Sequence, residues 1–193
     1  MQTQQEPVGH RKALMAVLAV LAALVVTVPA SAQQAERDAE VHCVAVATGE
    51  TADGQLVVTE PECFASPADA AAATEEAIAD LAASTTPGIG VNTALPGAIV
   101  PLAASLTLGI HYDGSSGTGS SIAIVGSGCT GGYWNASATW KNRISSTYSG
   151  CGRLKHYDYQ NRLGMTYTIY GACDLDSLGW FSDMTESVSY HAS

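Results

Sequence analysis

Ala13 to Val28 is apolar with one polar interruption, Thr27, and it follows the basic cluster His10, Arg11, Lys12. Pro29 and the triplet Ala30, Ser31, Ala32 close the run. A basic start, a short apolar stretch and an A-x-A ending predict a secretory signal over residues 1–32, because a membrane span needs about 20 apolar residues. From Val41 to Ala47 the pattern turns strand-like around Val44 and Val46, Asp53 and Gly54 signal a turn, and Leu56 to Glu60 resumes as a β-prone run. Together they predict a small hairpin. Ser66, Pro67 and Asp69 then predict a capped start to an Ala-rich helix reaching about Ala83, with Ile78 and Leu81 as its only large apolar residues. Thr85 to Ser105 holds Pro87, Pro96 and Pro101 without periodicity and reads as a linker. After Leu108, short alternating runs such as Ser121 to Val125 and Thr166 to Tyr170 are separated by Gly and Ser, and helical periodicity is almost absent.

This last part repeats itself. The stretch from His111 to Gly126 aligns at an offset of 45 with that from His156 to Gly171, so that His111, Tyr112, Asp113, Gly119, Ile124 and Gly126 recur as His156, Tyr157, Asp158, Gly164, Ile169 and Gly171. Farther on the offset falls to 41, where Trp140 to Tyr148 meets Phe181 to Ser189. Two units of about four short strands, neither able to bury its apolar face alone, predict two Greek keys packed as one β-sandwich.

The residues themselves, a Tyr, a Gly seven positions later, then an aromatic followed by N/D-x-x-[ST]-S, resemble the βγ-crystallin Greek-key signature. The resemblance covers about residues 106 to 193 and rests on Tyr112, Gly119, Trp140, Asn142, Ser145 and Ser146 in the first repeat, and on Tyr157, Gly164, Phe181, Asp183 and Ser187 in the second. It implies a mostly β protein whose signature glycines form the sharp fold of each first hairpin, with the tyrosines packed over them. An exported chain with a cysteine-flanked prefix is similar to secreted actinobacterial proteins of this type and, more distantly, to crystallin-fold metalloproteinase inhibitors. The resemblance also implies calcium as a possible ligand, carried by Asn142 and Ser145 in one loop and by Asp183 and Glu186 in the other. Lys141 and Ser182 stand where the signature has its first acid, and an ammonium there opposes a divalent cation.

Charge and aromatics sharpen the division of the chain. Lys+Arg 8 against Asp+Glu 18 gives a net charge of -10, the wrong sign for a phosphate-neutralising surface, so nucleic acid is not an expected partner. Without residues 1–32 the totals are 17 acids and 6 bases, or -11. Gln33 to Ser84 holds 11 acids and one Arg, whereas the residues from Leu108 onward hold six acids and five bases, together with all three Trp and all eight Tyr. The expected organisation is a signal (1–32), an acidic hairpin and helix prefix (33–84), a linker (85–105) and the sandwich (106–193).

All five cysteines lie beyond the signal, where disulfides persist. Cys43 and Cys63 flank the hairpin, and a bridge there is worth about 3 kcal/mol on a loop-entropy account. Cys129, Cys151 and Cys173 allow three single pairs; Cys129 with Cys151 is preferred because it closes the first repeat. The duplicated His-Tyr-Asp triplet reads as a surface feature, with His111, Asp113, His156 and Asp158 on the wet face and the tyrosines turned to the core. No G-x-S-x-G elbow occurs. The expected function is therefore non-enzymatic binding, with no required cofactor and no membrane partner once the signal is cleaved. Two narrower alternatives are inhibition of an extracellular peptidase and a calcium-stabilised structural or cell-surface role. For the inhibitor, the Gly-rich segment Gly126 to Ala138 is the candidate loop and Tyr133 and Trp134 its interface anchors.

Overall fold

Strand β4 (Leu106–Tyr112) pairs antiparallel with β5 (Ser121–Gly126) through a hairpin whose tip is a 3-10 turn at Ser115–Gly117. In this computed structural model residues 39–84 and 106–193 are described; the expected signal and linker lie outside them. The second repeat builds the same unit from β8 (Arg153–Tyr159), a turn at Gln160–Arg162, and β9 (Leu163–Tyr170). Both turns need left-handed backbone: Ser116 and Asn161 stand at φ 55° and 59°, and Gly119 and Gly164 at φ 77° and 81°. A Cβ on Gly119 would lie 2.2 Å from Asp113 Oδ1, and one on Gly164 would lie 1.9 Å from Asp158 Oδ1 and 2.5 Å from the Tyr159 ring. The sharp fold at these glycines is as expected, but the groups over them are the aspartates and Tyr159, the aspartate holding its turn: Asp158 Oδ1 accepts the Met165 N–H.

The remaining strands show how the repeats interlock. β6 (Thr130–Asn135) follows β5 in sequence yet pairs with β11 (Ser187–His191), while β10 (Asp174–Ser177) crosses to pair with β7 (Ser146–Ser149). The sheets consequently run β10-β7-β4-β5 and β6-β11-β8-β9, each repeat supplying three strands of its own sheet and its third strand to the other. This exchange makes the two units one cooperative body, since neither sheet is complete within a single repeat. The final serine of each signature ties the exchange to the hairpin. Ser146 Oγ donates to the Gly114 carbonyl and accepts the Gly117 N–H, and Ser187 Oγ does the same with the Tyr159 carbonyl and the Arg162 N–H.

The acidic hairpin joins the first sheet. β1 (His42–Glu50) pairs parallel with β5 over His42 to Val46 and antiparallel with β2 (Leu56–Val58) and β3 (Glu62–Phe64). It thereby covers an edge that would otherwise present unpaired backbone. Cys43 and Cys63 stand directly opposite in the β1–β3 register and are bridged; Cys129 and Cys151 are bridged as well, leaving Cys173 free and exposed. Helix α1 (Pro67–Ser84) starts at Ser66, whose Oγ accepts the Ala68 N–H at 3.2 Å. Its small-residue stripe, Ala70, Ala73 and Ala77 with Ile78 and Leu81, lies on Val44, Ala123 and Val125. α1 thus covers the outer face of the first sheet over β1, β5 and the adjoining Ile110 of β4, and the inner face of that sheet meets the second sheet in a core of Ile122, Ile124, Leu154, Ile169, Val188, Trp134, Trp140 and Phe181. None of the described helices is long and apolar enough to cross a membrane.

Candidate functional site

Along β8, Leu154 and His156 share one face and both are fully buried; along β4, Gly109 and His111 do the same, and His111 is fully buried. The expectation of wet histidines and inward tyrosines is therefore reversed, because inward-facing Leu154 fixes the parity of β8 and a strand with one inner face has no second choice. Gly109 fits this inner face because a Cβ there would stand 3.0 Å from Leu154 and 3.3 Å from Tyr190. The duplicated histidines meet at the centre of the sandwich, ring centroids 5.7 Å apart and edge to face, with Trp134 stacked 5.5 Å from His111. His111 is bonded at both ring nitrogens, Nδ1 to Thr147 Oγ1 and Nε2 to Tyr190 Oη, each at 2.9 Å. His156 Nδ1 meets Thr185 Oγ1 at 3.2 Å, and its Nε2 has no partner among the described residues. Burial pushes both imidazoles down, His156 to about 3 and His111 well below the usual value, the latter helped by the charge His156 would carry. They are neutral packing groups sealed from any substrate.

Tyr133 and Trp134 are also inside. Both lie in β6, 1% and 3% exposed, so the expected loop-tip anchors are strand residues. Trp134 faces the core, and Tyr133 is roofed by the β1–β2 turn: its hydroxyl donates to Asp53 Oδ2, its N–H to the Gly54 carbonyl, and the Arg162 guanidinium lies 4.5 Å above its ring. The Thr51 hydroxyl, followed by the Tyr133 bond, holds the Asp53 carboxyl below its usual range.

The four signature-loop residues are brought together crosswise. Ser145 Oγ donates to Asp183 Oδ1 at 2.9 Å, and Asn142 Nδ2 to Glu186 Oε1 at 3.3 Å. Asn142 and Asp183 occupy matching left-handed positions, φ 56° and 59°, and each N–H reaches the opposite loop, Asn142 to the Thr185 carbonyl and Asp183 to the Ile144 carbonyl. These side chains are engaged with one another, and calcium, which takes six to eight oxygens, would have to displace those bonds and draw on loop carbonyls. The second Glu186 oxygen is taken by Lys141 Nζ at 2.8 Å, a bond that also holds this carboxyl below its usual range. The other crossing offers one carboxylate and one hydroxyl, and no group of three or more His, Cys, Asp or Glu side chains suited to a metal occurs among the described residues.

A cationic surface that no sequence signal marked lies on the outer face of the second sheet. Opposite the inward Leu154 and His156, β8 turns Arg153, Lys155 and Tyr157 outward, β9 turns Thr166, Thr168 and Tyr170, and β11 turns Ser187, Ser189 and His191; of these Tyr157, Ser187 and Ser189 are buried beneath their neighbours. The register sets Arg153 between Tyr170 and His191, and Lys155 between Thr168 and Ser189. Among the described residues Lys141 and Arg143 have carboxylate partners, Glu186 and Asp113, while Arg153, Lys155 and Arg162 have none within ion-pairing distance. Lys155 Nζ lies 5.2 Å from the Tyr157 ring centroid, Arg162 donates to the Asp53 carbonyl, and Arg153 Nε is buried without a partner. His191 Nε2 bonds Ser189 Oγ at 2.8 Å, and burial together with Arg153, Arg162 and Lys155 lowers its affinity for a proton. Tyr170 is 71% exposed.

No family model and no curated protein matches the chain. Among solved structures it is similar to a βγ-crystallin domain from Clostridium beijerinckii, at 17% identity and a TM-score of 0.37, over 45% of this chain and 99% of that one. Two point variants of that domain give 17% and 15% identity with TM-scores of 0.37 and 0.36, over 44% and 45% of this chain and 98% and 99% of theirs. In the molecule itself, two tandem Greek keys give their third strands to each other's sheets and fold their first hairpins at Gly119 and Gly164. The sandwich has the βγ-crystallin fold.

Proposed function

We propose that this chain is an exported, non-catalytic binding module that offers the outer face of its second sheet to an extracellular ligand. One observation carries the reading. α1 covers the β1–β5 part of the first sheet, the duplicated histidines are spent on the core, and the signature loops satisfy each other, whereas Arg153, Lys155 and Arg162 have no carboxylate partner and gather with the exposed Tyr170 on one face. Polar side chains that could have been paired internally and are not provide the donors a ligand needs. The two disulfides suit an oxidising exterior, and they clamp the scaffold on which this face is held.

The test is a nuclear magnetic resonance titration of the oxidised chain from Gln33 to Ser193 with extracellular proteins, neutral polysaccharides and acidic polysaccharides. Amide shifts concentrated on β8, β9 and β11, with the ligand recovered at unchanged mass, are the expected result. Shifts clustered on the α1 side, or conversion of a ligand into product, would overturn the reading.

A further inference from the structure

The face described above has a composition that narrows its ligand, and resting on the binding-module reading, we infer that it binds an acidic polysaccharide, a chain of sugar rings bearing carboxylate or sulfate groups. Three features favour this class. The first is charge contrast: in a mature chain of -11, three of the five cations from Leu108 onward share one sheet face without ion-pair partners. Two carboxylates at the β6 margin are engaged, Asp53 with Tyr133 and Glu50 with Thr130, and Asp53 is also close enough to feel the Arg162 charge. The second is spacing. Arg153 and Lys155 lie two residues apart on one strand, about 7 Å, and the cross-strand partners Tyr170, Thr168 and His191 flank them at about 5 Å, so a hydroxyl, rings and positive charge stand side by side, while Ser189 is buried beneath them. The third is the exposed ring of Tyr170 directly opposite the Arg153 side chain, a platform for the apolar face of a sugar beside a donor for its acid group.

A flat array suits an extended polymer held by several weak contacts, and release of its counterions adds a salt-dependent driving force. A second copy of this chain is a poorer occupant. Its acidic helix, with Glu75, Glu76 and Asp80, could meet the cations, but two bodies of charge -11 repel overall.

Binding is read by isothermal titration of the oxidised mature chain with heparin and with polygalacturonate, using dextran and polyglutamate as controls, from 50 to 200 mM salt. Both acidic polysaccharides should bind, dextran should not, and the association constant should fall about tenfold or more over that range, as three released counterions require. Arg153→Gln with Lys155→Gln should weaken binding at least about tenfold, and Tyr170→Ala about fivefold with an unchanged salt slope. Should the double variant unfold, Arg162→Gln, at an exposed position, replaces it and should weaken binding severalfold. Equal binding of polyglutamate, binding of dextran, indifference to all these substitutions, or a shift to dimer that the same substitutions abolish would each overturn the inference. Binding of dextran or of a protein through this same face would leave the binding-module reading standing, whereas shifts confined to the α1 side would remove both.

Discussion

Replacing His156 with Phe separates the packing role of the core histidines from their charge. The ring is fully buried, bonded only through Nδ1 to Thr185, and its pKa lies at about 3. Phe preserves the bulk and the edge contact with His111 but leaves the buried Thr185 hydroxyl without that partner, a cost of about 2 kcal/mol at pH 7. The pH dependence moves the other way. In the unfolded chain a histidine binds a proton near pH 6.5, while in the folded chain both core histidines stay neutral, so stability falls as pH drops below 6.5 and continues to fall until the folded pKa is reached. Each such group costs about 1.4 kcal/mol per pH unit in that window, or about 2 kcal/mol between pH 7 and pH 5. The parent protein should therefore lose about 4 kcal/mol from the pair over this interval and His156→Phe about 2 kcal/mol, with the smaller contribution of His191 common to both. Urea unfolding followed by tryptophan fluorescence with the disulfides intact, at pH 7, 6 and 5, measures the two drops above the range where carboxylates titrate. Equal drops in the two proteins would refute the assignment of a neutral, sealed His156.

Gly164→Ala combines a left-handed φ of 81° with a Cβ 1.9 Å from Asp158 Oδ1, and should cost about 2 kcal/mol or more by urea unfolding; Gly54→Ala, at φ 86° with open space around it, should cost about 1 kcal/mol. Replacing both Cys129 and Cys151 with Ser opens a loop of 22 residues and should lower stability by about 3 kcal/mol in the same assay. Alkylation of the native protein without reductant should label one cysteine, and peptide mapping should place the label on Cys173. Melting midpoints in millimolar Ca²⁺ and in chelator should coincide, since Lys141 and Asn142 already occupy Glu186; a midpoint raised by Ca²⁺ would refute that account of the loops.

The repeat made the sandwich legible, because each sequence unit is a Greek key and its signature residues act locally. Gly119 and Gly164 need left-handed backbone, and Ser146 and Ser187 close their own hairpins, so the offset of 45 carries the turn chemistry with it. The two disulfides were legible for the same reason, each closing a unit already visible as a hairpin or a repeat. The inward histidines were misread because His-Tyr-Asp was weighed by residue type, when parity with Leu154 two positions earlier sets the face. Tyr133 and Trp134 were misread because their cover comes from afar: Asp53 and Gly54, about 80 residues earlier, roof Tyr133, and the opposing sheet encloses Trp134.

The cationic face illustrates a limit of a different kind. Arg153 and Lys155 are two bases among six in the mature chain, and in sequence they are unremarkable beside Lys141 and Arg143. What distinguishes them is the strand exchange. It brings Lys141 to Glu186 of the other repeat, while Arg143 is turned toward Asp113 of its own; β9 and β11 meanwhile surround β8 with hydroxyls and rings that hold no negative charge. Where a cation finds its carboxylate is decided by pairing between strands about 30 to 45 residues apart in this fold, and so the residues left over, which are those free to meet a ligand, become visible only once the sheets are assembled.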